Sequence, residues 1–421
     1  MSSFMFNNRF LLVLCLFFQC FTVVLEGGVS VGLERMFEKK EIVNLVKGKR
    51  LGLITNHTAI TKEGISSIDV LKDSEKKYNF KLVALFAPEH GLKGDHYAEK
   101  AVSNEISRGG IPIFSLYGKT RRPTKAMLKG IDLLVYDIQD IGSRSYTYIS
   151  TLFYVMEEAA KEGVDVLVLD RPNPINGLTV DGPMLDPGVR SYVGYINVPY
   201  CHGMTICELA HFFNTEYRVG CKLHIVPMEG WKRSMTFKDT GLPWKPTSPH
   251  IPEPDSPVFY PTTGILGELQ LVNIGVGYTL PFKLVGAPWI DAESFAKHLN
   301  GQKFPGVSFH PFYFRPFFGR FARQNCQGVL IQVDDPKAFL PVSTQYLIIG
   351  ILKSLYPKQF SEALAASKDR RKMFKKVNGT DKVYEIIQKE RYIVWKLRDL
   401  HKTERERFLQ RRKQFLIRSY T

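Results

Sequence analysis

Cysteine is scarce in this chain, and where it occurs its spacing suits neither metal nor redox chemistry. Of six cysteines, Cys15 and Cys20 lie in an N-terminal apolar run, and Cys201, Cys207, Cys221 and Cys326 form no CxxC pair and no His-linked ligand spacing. Small buried thiols are the simplest reading, with one or two disulfides open to an exported chain. Phosphate-cradling glycines are missing as well. There is no GxGxxG after the first strand-like run and no GxxxxGK[S/T] anywhere, which argues against dinucleotide and nucleoside triphosphate chemistry. A GxSxG elbow is absent, which disfavours an esterase of the α/β-hydrolase kind. His57, His90 and His202 lack the i, i+4 spacing of a helical metal pair, so neither metal nor cofactor is expected. Acidic residues are in the minority, 41 against 57 basic, for a net charge of +16. No nucleic-acid-binding motif accompanies that excess, part of which falls in ERERFLQRRKQFLIR, an amphipathic helix with a solvated basic face. A nucleic-acid partner is not expected; an anionic polymer outside the cytoplasm is compatible with the charge.

Long hydrophobic runs are also few. The single one, FLLVLCLFFQCFTVVL over residues 10–25, follows Arg9 and precedes EGG. That is the make-up of a signal peptide or an uncleaved anchor, so residues 1–30 are expected to direct export to the periplasm or beyond. Membrane attachment is expected through this segment only.

What is present is a repeated pairing of apolar run and polar turn. RLGLIT (50–55) leads into TNHT, KLVALF (81–86) into APEHG, and IPIFSL (111–116) into YGKTRRPT. IDLLVY (131–136) leads into DIQDIGSRSYTY, VDVLVL (164–169) into DRPNPING, and KLHIVP (222–227) into MEGW. Helical stretches lie between, the clearest over 148–162 with Gly163 as its C-cap. Apolar strands alternating with helices predict an α/β fold with a parallel, doubly wound sheet. The strand-end turns of such a sheet gather on one edge. Asn56, His57, Glu89, His90, Asp137, Gln139, Asp140, Arg144, Tyr146, Asp170, Arg171 and Asn173 are therefore expected to share a crevice. Past Trp244 the proline-dense KPTSPHIPEPDSP reads as an extended linker, and the aromatic-rich remainder as a second, α+β domain.

TNHT, LFAPEHGLKGD, SLYG, YDIQDIGSRSYTYISTL, LDRPNPING, HGMTICELA, GLPW and GAPW resemble the exo-β-N-acetylmuramidases of the NamZ type, from about Gly32 to Tyr420. The resemblance implies a glycoside hydrolase that releases N-acetylmuramic acid from non-reducing ends of peptidoglycan-derived muropeptides or disaccharides. It implies a Rossmann-like catalytic domain, placed at 31–248, and a smaller auxiliary domain at 249–421 forming part of the cleft. It also implies that Glu89, in PEHG, is the catalytic residue. Where the family reads like EGTNxSxGRGT ahead of PF, this chain has GELQLVNIGVGYTLPF, with Val276 at the arginine position and Glu268 shifted from the family's glutamate. A PSPN-like string becomes TSPH, ending in His250.

Glycoside cleavage needs a proton for the leaving oxygen and a base or nucleophile for the sugar carbon. Glu89 is the expected acid. Asp137, Asp140 or Asp170 is the expected partner, Asp137 first, unless the substrate's own acetamido group assists. Muramic acid carries a lactyl carboxylate, for which Arg144, Arg171 and His202 are the expected donors. The altered second-domain strings leave one alternative, a cell-wall sugar-binding protein that keeps the pocket without turnover.

Overall fold

The computed structural model describes residues 28–95, 105–107 and 109–421. Most of the expected leader lies outside these residues. Six parallel strands form the first sheet: β1 (Arg50–Thr55), β2 (Lys81–Ala87), β4 (Pro112–Ser115), β5 (Leu133–Asp137), β6 (Asp165–Leu169) and β7 (Leu223–Val226). They run in the order β4-β2-β1-β5-β6-β7, and a two-residue strand, β3 (Glu105–Ile106), adds antiparallel to the β4 edge. At two residues, β3 is too short to carry a periodic pattern and was not expected.

The apolar runs are continuous because both faces of the sheet are covered. Alternate residues divide between two cores. Leu51, Leu53, Leu133, Val135, Leu167 and Leu169 pack with Leu71 of helix Ser67–Tyr78. Ile54, Leu134, Tyr136, Val166 and Val168 pack with Leu152, Phe153 and Met156 of helix Thr147–Glu162. That helix ends where expected, at Gly163 in the left-handed region with φ 68°. β1 has β2 on one side and β5 on the other, so the chain reverses direction across the sheet there. The crevice beyond the carboxyl ends of such strands is where this topology places ligands.

The second unit has a three-stranded antiparallel sheet in the order β8 (Leu284–Ala287), β10 (Cys326–Val333), β9 (Val307–Phe314), with helices Ser256–Glu268, Ala292–Asn300 and Pro341–Leu355 around it. The larger core runs on without a break into this unit through Leu266, Val285 and Ile348. The chain end returns to the first unit, where the Tyr420 hydroxyl donates to Asp170 at 2.6 Å and accepts from the Met228 amide at 2.7 Å. Arg412, from the basic C-terminal helix region, is buried rather than solvated and donates to the carbonyls of His202 and Gly203. Residues 245–257 are not a free linker: buried Thr247 accepts hydrogen bonds from the Tyr146 and Tyr148 hydroxyls. All four described cysteines are buried free thiols. Among the described residues no helix is long and apolar enough to cross a membrane.

Candidate active site

A cleft of about 420 Å³ opens at the carboxyl edge of the parallel sheet. The first unit lines it with Glu89, His90, Tyr117, Arg121, Thr147 and Tyr192, and the second with Tyr260, Glu268, Phe282, Met373 and Lys376. Ser248 to Ile251 close it between them. A shallower groove of about 610 Å³ beside Arg122, Glu157 and Tyr217 receives none of the predicted site residues.

Glu89 reaches the cleft through a tight turn. The Gly91 amide donates to the Pro88 carbonyl at 3.0 Å, while His90 and Gly91 sit at φ 70° and 75°. A non-glycine residue at positive φ is uncommon, and such conformations concentrate at functional sites. The double left-handed step turns the chain back directly after β2, leaving Glu89 and His90 each only 6% exposed. Thr147, the first residue of its helix, donates its hydroxyl to Glu89 Oε2 at 2.6 Å.

Glu268 is a second carboxylate of the cleft. It ends helix Ser256–Glu268 and lines the same cleft. It precedes Gly275, Val276 and Gly277 by the same intervals that separate the glutamate from GRG in EGTNxSxGRGT, so it is in register rather than displaced. The buried Tyr260 phenol is pushed up to about 12, first by burial and then by the charges of Glu268 and Glu89, so it stays protonated. Tyr260 thus feels both carboxylates, one from each unit of the fold.

Tyr146 also lines the cleft, with its ring edge-on to Tyr148 and Tyr260 and its hydroxyl donating to Thr247 Oγ1 at 2.9 Å. His57 stands just behind this wall, its Nε2 2.6 Å from the Pro246 carbonyl, and burial lowers its pKa.

The other strand-end residues do not line the cleft; they are buried in hydrogen-bonded groups of their own. Asp137 is wholly buried and holds Arg171 through two bonds, to Nε at 2.5 Å and to Nη2 at 2.9 Å. Arg171 spends its remaining reach on the Ile60 carbonyl. Gln139 donates to the carbonyls of Asp140 and Pro172, and Asn56 accepts from the Thr58 amide and hydroxyl. Asn173 ties the Met204 carbonyl to the Ile175 amide. Asp140 accepts from the Gly142 amide, and burial pushes its carboxyl up to about 7. Asp170 accepts from Thr205, Cys207 and Tyr420; burial still raises it to about 7.

The three groups expected to meet a lactyl carboxylate lie outside the cleft wall too. Arg144 is fully buried and donates to the carbonyls of Pro183 and Val198 at 2.7 Å and of Asn378 at 2.5 Å. It thereby caps the C-terminus of helix Arg371–Asn378, whose following Gly379, at φ 78°, leaves no room for a side chain against the guanidinium. His202 is fully buried, accepts from the Met204 amide and is driven down to about 3 by burial and by the nearby Arg412 and Arg144. Arg171 is committed to Asp137. Among the described residues no group of three or more His, Cys, Asp or Glu side chains could hold a metal ion.

The model of the family described as exo-β-N-acetylmuramidase NamZ, N-terminal, matches residues 51–255, and its C-terminal counterpart matches residues 258–417. The chain belongs to the NamZ exo-β-N-acetylmuramidase family. It is a glycoside hydrolase of that family. The peptidoglycan β-N-acetylmuramidase NamZ of Bacillus subtilis strain 168 is 42% identical over 345 residues, which cover 81% of each chain. Two crystal structures of DUF1343 family proteins from Bacteroides fragilis NCTC 9343 superpose on it, each covering 92% of this chain and 98% of the other. Their TM-scores are 0.85 and 0.69, at 41% and 27% identity.

Proposed function

We propose that this family member releases N-acetylmuramic acid from the non-reducing ends of peptidoglycan fragments, with Glu89 as general acid and Glu268 as the second carboxylate. The observation that carries the reading is the placement of these two carboxylates in one cleft, from opposite units of the fold. Glycoside hydrolysis asks for such a pair. The remaining walls suit a hexosamine. Tyr192, Tyr260 and Phe282 offer ring faces, while Ser145, Ser191 and Ser248 offer hydroxyls to the sugar's own hydroxyl and acetamido groups. Asp137 is a supporting residue in this reading, since both its oxygens are bound to Arg171. Peptidoglycan lies outside the cytoplasmic membrane, and the apolar segment at residues 10–25 is the proposed means of getting there.

A chromogenic β-N-acetylmuraminide, run beside the matching β-N-acetylglucosaminide, tests the proposal. The wild type should cleave the first, and Glu89→Gln and Glu268→Gln should each lose about a hundredfold or more in kcat while staying folded. Turnover at the wild-type rate in Glu89→Gln would move the acid elsewhere. Binding of the muraminide by the wild type without release of the chromophore would make this a sugar-binding protein.

A further inference from the structure

Two adjacent arginines follow β4, and they are used differently. Arg122 is bound to Glu157 at 2.6 Å, to Glu158 at 2.9 Å and to the Tyr195 hydroxyl at 2.8 Å. Arg121 forms no ion pair among the described residues. Its guanidinium lies over the ring of Tyr192, 4.4 Å from the centroid, and near that of Tyr117, at 5.0 Å, on the cleft wall. Stacking of this kind fixes the plane of a guanidinium while leaving its N–H edge to an incoming anion. Lys376, which also lines the cleft, is likewise without an ion pair among the described residues. It rides on the helix whose C-terminus Arg144 holds.

We propose that Arg121, assisted by Lys376, reads the lactyl carboxylate that distinguishes muramic acid from glucosamine. The proposal rests on the cleft being the muramidase site. The chemistry is one of shortage: an anionic sugar entering a cleft that already holds Glu89 and Glu268 needs cationic partners there. Arg144, Arg171 and His202 are committed elsewhere, which leaves Arg121 and Lys376 as the arginine and the lysine that line the cleft among the described residues. A planar fork beside a mobile point charge suits a carboxylate on a short ether arm.

The test compares the chromogenic muraminide with its lactyl carboxamide, which keeps the shape and loses the charge. Arg121→Gln should lower kcat/KM on the muraminide about 10- to 100-fold, mostly through KM, and leave the carboxamide within about twofold. Arg121→Lys should fall between, and Lys376→Met should show the same selectivity with a smaller loss. Both side chains stand at the surface of the cleft, so unfolding midpoints should be unchanged. Equal losses on the two substrates, or no loss on either, would overturn the assignment. If the wild type cleaves neither substrate, the muramidase reading fails separately, and calorimetric binding of free N-acetylmuramic acid decides this one. Binding by the wild type that Arg121→Gln abolishes supports it; equal binding, or none, overturns it.

Discussion

Thr147 Oγ1 donates to Glu89 Oε2 at 2.6 Å, joining the turn after β2 to the first residue of the helix after β5. The bond fixes one oxygen of a carboxyl group that lines the cleft. Glu89 is held by its own strained turn on one side and by this hydroxyl on the other.

Removing the hydroxyl should therefore cost turnover more than binding. Thr147→Val keeps the branched shape and loses one donor to a carboxylate, an interaction worth about 1.5–3 kcal/mol. The expected result is a fall in kcat of about 10- to 100-fold with KM nearly constant, and recovery of most of the activity in Thr147→Ser. A rise in KM at constant kcat, or no rescue by serine, would show that the hydroxyl does not position Glu89 for the chemical step.

The Asp137–Arg171 pair should behave as structure. Both groups are buried, at 0% and 5% side-chain exposure, and removing one partner leaves the other charge uncompensated. Asp137→Asn should destabilise the fold by about 3–5 kcal/mol in denaturant unfolding, and Arg171→Met by a similar amount. Below its unfolding transition, the surviving folded Asp137→Asn protein should keep kcat within about tenfold of the wild type. Complete loss of activity at unchanged stability would return Asp137 to the reacting pair.

The architecture could be read from the chain because strands covered on both faces must be continuously apolar, and RLGLIT, KLVALF and IDLLVY are. The edge on which their turns gather follows from the parallel topology. What pattern cannot supply is the direction in which a strand-end side chain leaves the backbone. Asp137 and Glu89 follow apolar runs alike, yet one is folded under and the other into the cleft. Arg144 shows why: two of its carbonyl partners lie 54 and 234 residues away, and no local spacing encodes them. The proline-dense stretch after Trp244 looked like a spacer for the same reason, since its bonds to Tyr146, Tyr148 and His57 span 99 to 189 residues. Glu268 was within reach of the sequence, by counting back from Gly275, and the substituted residues around it hid the register.

His202 should make the fold sensitive to mild acid. Its ring is fully buried, its Nδ1 accepts from the Met204 amide at 3.2 Å, and Arg412 donates to its own carbonyl at 3.0 Å. Protonation would replace that acceptor with a donor and place a second positive charge in a dry site, which is why its pKa is pushed down to about 3. The folded value lies below the unfolded one, so the unfolded chain takes up a proton that the folded chain refuses. The stabilisation is whole above the ordinary value of 6.5 and is lost as pH falls from there toward 3. Asparagine offers an oxygen close to the position of Nδ1 and does not titrate, so His202→Asn keeps the bond to Met204 and removes the linkage. Its absolute stability will be lower because of the lost ring, and only the slope is diagnostic. Measured by denaturant unfolding between pH 6 and 4, the gap between wild type and His202→Asn should close by about 1.4 kcal/mol per pH unit. Parallel curves would mean that the imidazole protonates as readily in the folded protein as in the unfolded chain, and the buried neutral ring would have to be abandoned.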